Sequence, residues 1–461
     1  MTFGMIIILM EFLTASAAIA QVINHQIPIS KIFSNTLHRI EARECDVKAW
    51  TFLAIEAAHR QMAIQEEYGR ESSPADLLTP FPLFGIPVGI KDIFATVDMP
   101  TAWGMPLYRD RYLAAEAAVV TRLKAAGAMI LGKTVTTELA TATAGPTRNP
   151  HNLAHTPGGS SSGSAAAVAD GMVPITIGSQ TMGSILRPAA YCGIFGFKPS
   201  FGQISRQGVM PVSADLDHVG MFARCLDDIR LVFEVLIDRA ATAGQSPVVR
   251  SPQSSRPPRL AWIKMPHWHL IEPVAQTRLH QMVDVLSKAG ADINAVELPT
   301  DCADFWDTTQ TLCAYGLYQH HGWLLENHGS WCSPNLQAWL KRGQQVGLST
   351  YTAALHQRAR YRASIDSIFH DFDAILTPVT TGPAPSGLEN TGSPLFCGLW
   401  TVCGLPAINI PIGQTLDGLP LGCQLVGRSH GDRQLLHMAE YCWQHLKPVF
   451  GEIKILEVCR L

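Results

Sequence analysis

The distribution of apolar and polar positions along the chain predicts alternating helices and short strands. Apolar residues at helical spacing predict helices in these segments: 29–42, 47–66, 114–126, 164–169, 274–289 and most of 303–371. Short apolar runs bounded by Gly or Pro predict strands or extended pieces at 84–91, 128–131, 173–177, 194–197, 209–212, 260–263, 293–298, 374–378, 405–412 and 422–426. This alternation is typical of an α/β fold.

The N-terminal region carries an apolar run at 5–10 that resembles the core of a signal peptide. No Lys or Arg precedes this run and Glu11 interrupts it, which argues against such a peptide. After Thr14, a candidate helix cap, apolar residues recur at helical spacing from Ala17 to Ile27. We therefore expect residues 1–9 to be surplus and an amphipathic helix to follow. No apolar stretch reaches the roughly 18–20 residues that span a membrane, so a soluble protein with no membrane partner is expected.

The composition of the 461-residue chain narrows the classes of partner. Charged residues make up 16%, with 35 Lys and Arg against 38 Asp and Glu, for a net charge of −3. This balance gives no electrostatic reason to expect a nucleic-acid partner. The 11 cysteines are scattered without a CxxC pair, which is typical of reduced cytoplasmic proteins. The pair His151 and His155 alone does not predict a metal site, and no metal or organic cofactor is expected.

The first candidate for chemistry is Lys91, which follows the apolar run Gly85–Ile90 and precedes Asp92. Lysine is rarely buried without a partner, and an apolar environment would lower its pKa toward that of a useful base. Taken alone, the residue is better explained by a surface ion pair with Asp92 at the end of a strand. Lys91 is therefore a candidate base only in combination with other groups.

Two segments rich in glycine and serine follow. Thr156–Ser164 opens onto an alanine-rich helix and contains Gly-x-Ser-x-Gly centred on Ser161. It is not a P-loop, because no Gly-Lys-Ser/Thr follows, and no strand precedes it, as a nucleophile elbow would need. Gly178–Pro188 follows a predicted strand, so Ser184 lies on a turn at a strand end, where catalytic groups cluster. This turn could form an oxyanion hole from the backbone N–H groups of Thr181, Met182, Gly183 and Ser184.

Together and in this order, the segments resemble the amidase signature family. The pieces that match best are Gly85-Ile-Pro-Val-Gly-Ile-Lys91-Asp, Pro157-Gly-Gly-Ser160-Ser-Ser-Gly-Ser, Gly178-Ser-Gln-Thr-Met-Gly-Ser184 and Pro188-Ala-Ala-Tyr-Cys-Gly. Downstream matches are Ala374-Ile-Leu-Thr-Pro, Gly404-Leu-Pro-Ala-Ile and Asp417-Gly-Leu-Pro-Leu-Gly. The resemblance implies a three-layer α/β/α sandwich around a large mixed β-sheet. It also implies a single amidase domain over 10–461, with the Pro-rich segment 244–259 as an internal surface loop.

The resemblance implies a hydrolase of a non-peptide carbon–nitrogen bond in a small-molecule amide, with a Ser–cis-Ser–Lys triad. A carbamate or a small amide-acid also stays open as the substrate. Matched motif to motif, Ser184 would be the nucleophile that forms an acyl-enzyme, Ser160 the bridging serine behind a cis peptide bond, and Lys91 the ultimate base. A hydroxyl becomes nucleophilic only when a neighbour accepts its proton. A neutral, desolvated lysine can accept it through a second hydroxyl, which then returns it to the leaving amine.

The segment 180–187 departs from the commonest pattern of the family. Where Asp-Thr-Gly-Gly-Ser-Ile-Arg is usual, this chain has Gln180-Thr-Met-Gly-Ser-Ile-Leu-Arg187. Met182 therefore replaces a glycine, and the arginine lies one residue later. This form resembles a malonamidase-like branch, in which the arginine can hold a substrate carboxylate. Arg187 is thus a candidate substrate-binding residue, with a structural role as the alternative.

Two other functions stay open. The chain could be the amidase subunit of a tRNA-dependent amidotransferase, but that branch usually carries the Asp-Thr-Gly-Gly-Ser-Ile-Arg pattern. It could also be a non-catalytic binding protein on the same scaffold, against which the retained triad argues. A homodimer is also left open. The substrate pocket is expected from 303–350 and 380–403, whose aromatic candidates are Trp306, Trp323, Phe396 and Trp400.

Overall fold

The computed structural model describes residues 13–238 and 256–453, so the predicted surplus residues 1–9 and most of the segment 244–259 lie outside the described residues. In this part of the chain the framework is an 11-stranded sheet. Its strands in chain order are β1 (Trp50–Leu53), β2 (Pro87–Lys91), β3 (Met129–Thr134), β4 (Ile175–Gln180), β5 (Phe195–Lys198), β6 (His218–Ala223), β7 (Arg259–Trp262), β8 (Asp292–Ala295), β9 (Ala374–Pro378), β10 (Ala407–Gln414) and β11 (Pro420–Val426).

The sheet is mixed, with the strand order β1-β3-β2-β4-β6-β5-β10-β11-β9-β7-β8. β2 runs parallel to β3 and β4, and β7 runs parallel to β8 and β9. The remaining neighbours are antiparallel. Strands from both sides of 239–255 join the sheet through the pairing of β5 with β10. The single-domain organisation itself stays a prediction.

Helices cover the sheet. Most residues of the central strands are buried whichever face they point to, and every residue of β2, β4 and β6 is buried. Successive side chains of a strand point to opposite faces, so both faces must be covered. This arrangement confirms the predicted three-layer α/β/α sandwich. None of the helices among the described residues is long and apolar enough to cross a membrane. The helices are α1 (Ala15–Ile23), α2 (Ile29–Val47), α3 (Ile55–Glu71), α4 (Pro74–Leu78), α5 (Ala118–Ala125), α6 (Ser162–Ala169), α7 (Leu186–Cys192), α8 (Leu226–Leu236), α9 (Pro273–Lys288), α10 (Phe305–His321), α11 (Trp323–His328), α12 (Pro334–Gln344), α13 (Leu348–Ile368), α14 (Leu395–Val402) and α15 (Asp432–Phe450).

The segment 47–66, predicted as one helix, is interrupted by a strand. α2 ends where Lys48 adopts a left-handed backbone conformation with a φ of 55°. The Glu44 carboxylate then accepts hydrogen bonds from the N–H groups of Ala49 and Trp50, each at 2.9 Å. These bonds turn the chain into the edge strand β1 before α3 begins, so the prediction of a continuous helix here is wrong.

The central strands bring the candidate residues to one edge of the sheet. β2 and β4 are parallel neighbours, and Ile90 of β2 pairs with Ile177 of β4. The carboxyl ends of parallel strands meet at the same edge. Lys91 at the end of β2 therefore lies near Ser179 of β4, and α6, which follows Ser160, packs against both strands.

Candidate active site

Lys91 is the buried centre of the candidate site. Its side chain is fully buried, and its Nζ forms hydrogen bonds with Ser160 Oγ at 2.7 Å and with Ser179 Oγ at 2.9 Å. Burial holds the pKa of Lys91 well below its ordinary value, while the charge of Asp217 raises the pKa and that of Arg187 lowers it further. A lysine with such a pKa can be neutral and accept a proton. The surface ion pair with Asp92 is not formed, because Asp92 pairs with Lys133 at 3.0 Å.

Ser160 lies in the glycine and serine segment that leads into α6. The Gly159–Ser160 peptide bond is cis, as the resemblance implied. Gly158 precedes it with a φ of 83°, and a Cβ at that position would come within 2.9 Å of the Pro188 Cα. Only glycine fits this close approach. The neighbouring Ser161 is fully buried and donates to the carbonyl oxygen of the β4 residue Ser179, at 3.2 Å.

Ser184 lies on the turn between β4 and α7 and lines a cavity of about 140 Å³. Gln180 supports this turn, since its Oε1 accepts hydrogen bonds from the N–H groups of Ile185 at 2.8 Å and Leu186 at 3.0 Å. Thr181, Met182 and Gly183 line the same cavity, so the predicted oxyanion loop borders it. Met182, which replaces the usual glycine, is only partly buried and lines the cavity.

Of the predicted triad, Lys91 and Ser160 are in direct contact, whereas among the described residues Ser184 is not bonded to either of them. Lys91 is bonded to Ser160, and Ser184 lies on the adjoining cavity wall. Within residues 13–238 and 256–453, the Ser184 hydroxyl forms no hydrogen bond with Ser160. A catalytic hydrogen bond that is open in an unliganded site commonly tightens when substrate binds.

Arg187 lies at the start of α7 and is almost fully buried. Its Nη1 donates to the Gly392 carbonyl oxygen at 2.7 Å, and its Nη2 donates to the Gly159 carbonyl oxygen at 2.6 Å and to Thr391 Oγ1 at 3.4 Å. The guanidinium thus ties the segment that carries Ser160 to the 391–392 wall of the cavity. The sequence offered Arg187 as a ligand for a substrate carboxylate. In the structure its guanidinium instead forms hydrogen bonds within the protein.

Two further residues of the site were not found from the sequence. Ser179 shares the Lys91 amine with Ser160. Asp217 accepts hydrogen bonds from Thr181 Oγ1 at 2.6 Å and from the N–H groups of Val212 at 2.8 Å and Ser213 at 3.0 Å. This carboxylate therefore joins the oxyanion loop to the turn before β6. Ser179 directly follows a glycine at a strand end, which is a usable signal, whereas no sequence pattern pointed to Asp217.

The pocket prediction is right for one aromatic residue of four. Trp306 lines the cavity, whereas Phe396 and Trp400 are fully buried core residues and Trp323 is 46% exposed on the surface. Trp339, on α12, lines the cavity as well. The helical region after Phe305 thus supplies one wall of the pocket, as expected, but through different side chains.

A buried lysine bonded to a serine, beside a cavity that holds a second serine, is the arrangement of a hydrolase that uses a hydroxyl nucleophile. The family described as Amidase matches residues 31–436. A glutamyl-tRNA(Gln) amidotransferase subunit from Symbiobacterium thermophilum is 32% identical, over 90% of this chain and 93% of that relative. The chain therefore belongs to the amidase family, and it is an enzyme that acts on carbon–nitrogen bonds.

Solved structures agree with this assignment. The crystal structure of an amidase, 26% identical, superposes with a TM-score of 0.84 over 94% of this chain and 100% of that chain. The peptide amidase of Stenotrophomonas maltophilia, 27% identical, gives a TM-score of 0.79 over 94% of this chain and 97% of that chain. These relatives establish the family, whereas the malonamidase-like branch stays a prediction.

Proposed function

We propose that this amidase cleaves the C–N bond of a small amide through an acyl-enzyme on Ser184. The observation that carries the proposal is the 2.7 Å hydrogen bond between Ser160 and a fully buried lysine whose pKa is lowered by burial. That lysine, Lys91, has the properties of a base that works through a hydroxyl relay. The position of Ser184 on the adjoining cavity supplies the nucleophile.

In the acylation step, Ser184 Oγ attacks the carbonyl carbon while its proton passes to Ser160, whose own proton passes to Lys91. The backbone N–H groups of Thr181–Ser184 stabilise the negative charge that develops on the carbonyl oxygen. When the C–N bond breaks, the proton returns from Lys91 through Ser160 to the leaving nitrogen. Water then hydrolyses the ester by the same relay, so no metal or organic cofactor is required.

The predicted contact between Arg187 and a substrate carboxylate is not part of this proposal. A carboxylate is best held by two parallel N–H groups of a guanidinium. Both terminal nitrogens of Arg187 already donate to backbone carbonyl oxygens, and among the described residues its Nε has no partner. Comparing neutral with carboxylate-bearing amides on the parent enzyme and Arg187→Ala tests the malonamidase-like alternative, which predicts a selective loss on the carboxylate-bearing class.

A fluorophosphonate probe followed by peptide mapping tests the proposed nucleophile. We expect a single adduct on Ser184, lost in Ser184→Ala and strongly slowed in Ser160→Ala. Ser161→Ala is the matched control, because this serine lies next to Ser160 but bonds to the sheet, and it should label normally. An adduct on Ser161, or unchanged labelling of Ser184→Ala, would contradict the assignment.

A second candidate function is the amidase subunit of a tRNA-dependent amidotransferase. The relatives of similar length favour it more than the sequence pattern did, since the Symbiobacterium thermophilum protein is one component of such an enzyme, aligned over 93% of its length. Both functions share the same cleavage and differ in the fate of the ammonia. Ammonia release by the purified chain without tRNA or partner supports a free-standing amidase, whereas activity that requires them supports the second candidate. A homodimer and a cytoplasmic location stay predictions.

A further inference from the structure

The cavity beside Ser184 has mainly apolar walls. Trp306, Cys313 and Leu317 all come from α10, at spacings that place them on one face of that helix. Trp339 comes from α12. The two helices approach closely at Gly343, where an added Cβ would come within 2.1 Å of the Ala314 carbonyl oxygen. This close contact fixes the separation of the walls that carry the two tryptophans.

The charges around the cavity disfavour a cationic substrate. Among the described residues that line it, no Asp or Glu is present, and the charged residue is Arg187. A positively charged group would lose its hydration here without gaining a carboxylate, and it would also meet a like charge. Because Nη1 and Nη2 of Arg187 already donate to backbone carbonyl oxygens and most other wall residues are apolar, an apolar acyl group fits this cavity best.

The size of the cavity limits the acyl group. Its volume is about 140 Å³. An apolar protein cavity of about 150 Å³ is large enough to hold benzene. The space beside Ser184 therefore suits an acyl group of about one six-membered ring, and a fused second ring would exceed the volume between these walls.

We propose that this cavity binds an apolar acyl group of up to one ring in size, and that Trp339 is the residue that sets this limit. The inference rests on the proposed function, because it assumes that the carbonyl carbon of the substrate lies at Ser184. Trp339 is the wall residue best placed to test it. Its side chain is only partly buried, so that shortening it removes less of the core than a change at the fully buried Leu317 would.

Boronic acids test the acyl preference without requiring turnover, because the boron atom accepts the serine oxygen and carries the acyl substitute into the cavity. Protection of Ser184 from the fluorophosphonate probe is measured with phenylboronic, 2-naphthylboronic, 2-carboxyethylboronic and 4-(aminomethyl)phenylboronic acids. We expect phenylboronic acid to protect at about tenfold lower concentration than each of the other three. Equal or better protection by the carboxylate or the ammonium compound would overturn the inference.

Variants of tryptophan test the size limit. The measured quantity is the ratio of the protecting concentrations of 2-naphthylboronic and phenylboronic acid. In Trp339→Ala we expect this ratio to fall about tenfold in favour of 2-naphthylboronic acid. Trp323→Ala is the matched control, because that tryptophan lies outside the cavity and is 46% exposed. It should leave the ratio unchanged. If Trp339→Ala does not fold, Trp339→Leu gives a smaller change in the same direction. An unchanged ratio in a folded Trp339 variant would remove the assigned role.

The experiments distinguish failure of the proposed function from failure of the acyl-group inference. If the probe does not label Ser184, the proposed function fails and the inference fails with it. If Ser184 is labelled but phenylboronic acid is not preferred, the acyl-group inference alone fails and the nucleophile assignment stands.

Discussion

Two lysines on adjacent strands show how the same buried amine can serve different purposes. Lys91 ends β2 and Lys133 lies in the parallel neighbour β3, one register position away. Both side chains are fully buried. Lys133 Nζ lies 3.0 Å from the Asp92 carboxylate and also donates to the carbonyl oxygen of Phe94 at 3.0 Å and the hydroxyl of Thr101 at 2.8 Å. Lys91 has two serine hydroxyls in place of a carboxylate and carbonyl oxygens.

The two lysines differ in their hydrogen-bond and charge partners, since burial shifts both pKa values in the same direction. Burial lowers the pKa of each lysine, and for Lys133 the adjacent Asp92 carboxylate opposes that effect at hydrogen-bond distance. For Lys91 the opposing charge is Asp217, which is not hydrogen-bonded to it. A lysine that holds a carboxylate is a structural cation, whereas one that holds only hydroxyls can exchange protons with them. The comparison predicts that the two sites respond to mutation in opposite ways.

Lys91→Met should produce the largest effect, and on turnover alone. We expect kcat to fall by about 10²–10⁴, because the base at the end of the relay is removed. The free energy of unfolding should change little, since the apolar methionine side chain has a length similar to that of the buried lysine side chain that it replaces. Steady-state kinetics and denaturant unfolding measure the two quantities. A large loss of stability with turnover retained would show that Lys91 is a structural residue like Lys133.

Lys133→Met should instead reduce stability. Asp92 would be left buried without its cation, at a cost of about 3–5 kcal/mol in the free energy of unfolding. Lys124→Met is the control, because Lys124 forms its ion pairs with Asp98 and Glu116 near the surface, where such pairs contribute ~0–1 kcal/mol. Denaturant titration measures both variants. Equal stability of the Lys133 and Lys124 variants would contradict the role given to the Asp92 pair.

Asp217→Asn should produce the smallest effect, a shift of the acid limb of the kcat/KM profile toward lower pH. The Asp217 charge raises the pKa of Lys91, so removing it lets that pKa fall further. The neutral amine then persists to lower pH. Asparagine keeps an oxygen acceptor for the N–H groups of Val212 and Ser213.

Asp215→Asn is the control for this shift. Asp215 lies two residues away, accepts from the Tyr351 hydroxyl at 2.8 Å, and is not among the charges that act on Lys91. The acid limb of the kcat/KM profile should stay at the same pH in Asp215→Asn. A shift of the Asp217→Asn limb toward higher pH would show that Asp217 does not act on the base as a charge.

The sequence predicted the residues whose types are dictated by local chemistry. Lys91, Ser160 and Ser184 each lie in a segment of unusual glycine, serine or apolar content. The structure bonds Lys91, at the end of β2, to Ser160 and places Ser184 on the turn after β4, while their catalytic roles stay predictions. The predicted layers of the fold are confirmed, because apolar runs mark most of the buried strands directly.

The sequence missed what depends on contacts between distant segments. β6 was not predicted, and it contains Gly220. The glycine is required there since a Cβ would come within 2.2 Å of the Phe197 carbonyl oxygen on β5. The hydrogen bond between Thr181 and Asp217 joins the turn after β4 to the turn before β6, so it could not be predicted without β6. Trp339 was missed for a similar reason, since helical spacing does not show which neighbour a face of a helix meets.

The proposed catalytic residues and two tryptophans that line the cavity lie on opposite sides of the segment 239–255 in the sequence. Lys91, Ser160 and Ser184 precede it, whereas Trp306 and Trp339 follow it. The proposed catalytic residues and the proposed size-limiting residues are thus encoded in separate stretches of the gene. Recombination or drift in the later stretch can therefore give this enzyme a new substrate range while its inherited reaction is preserved.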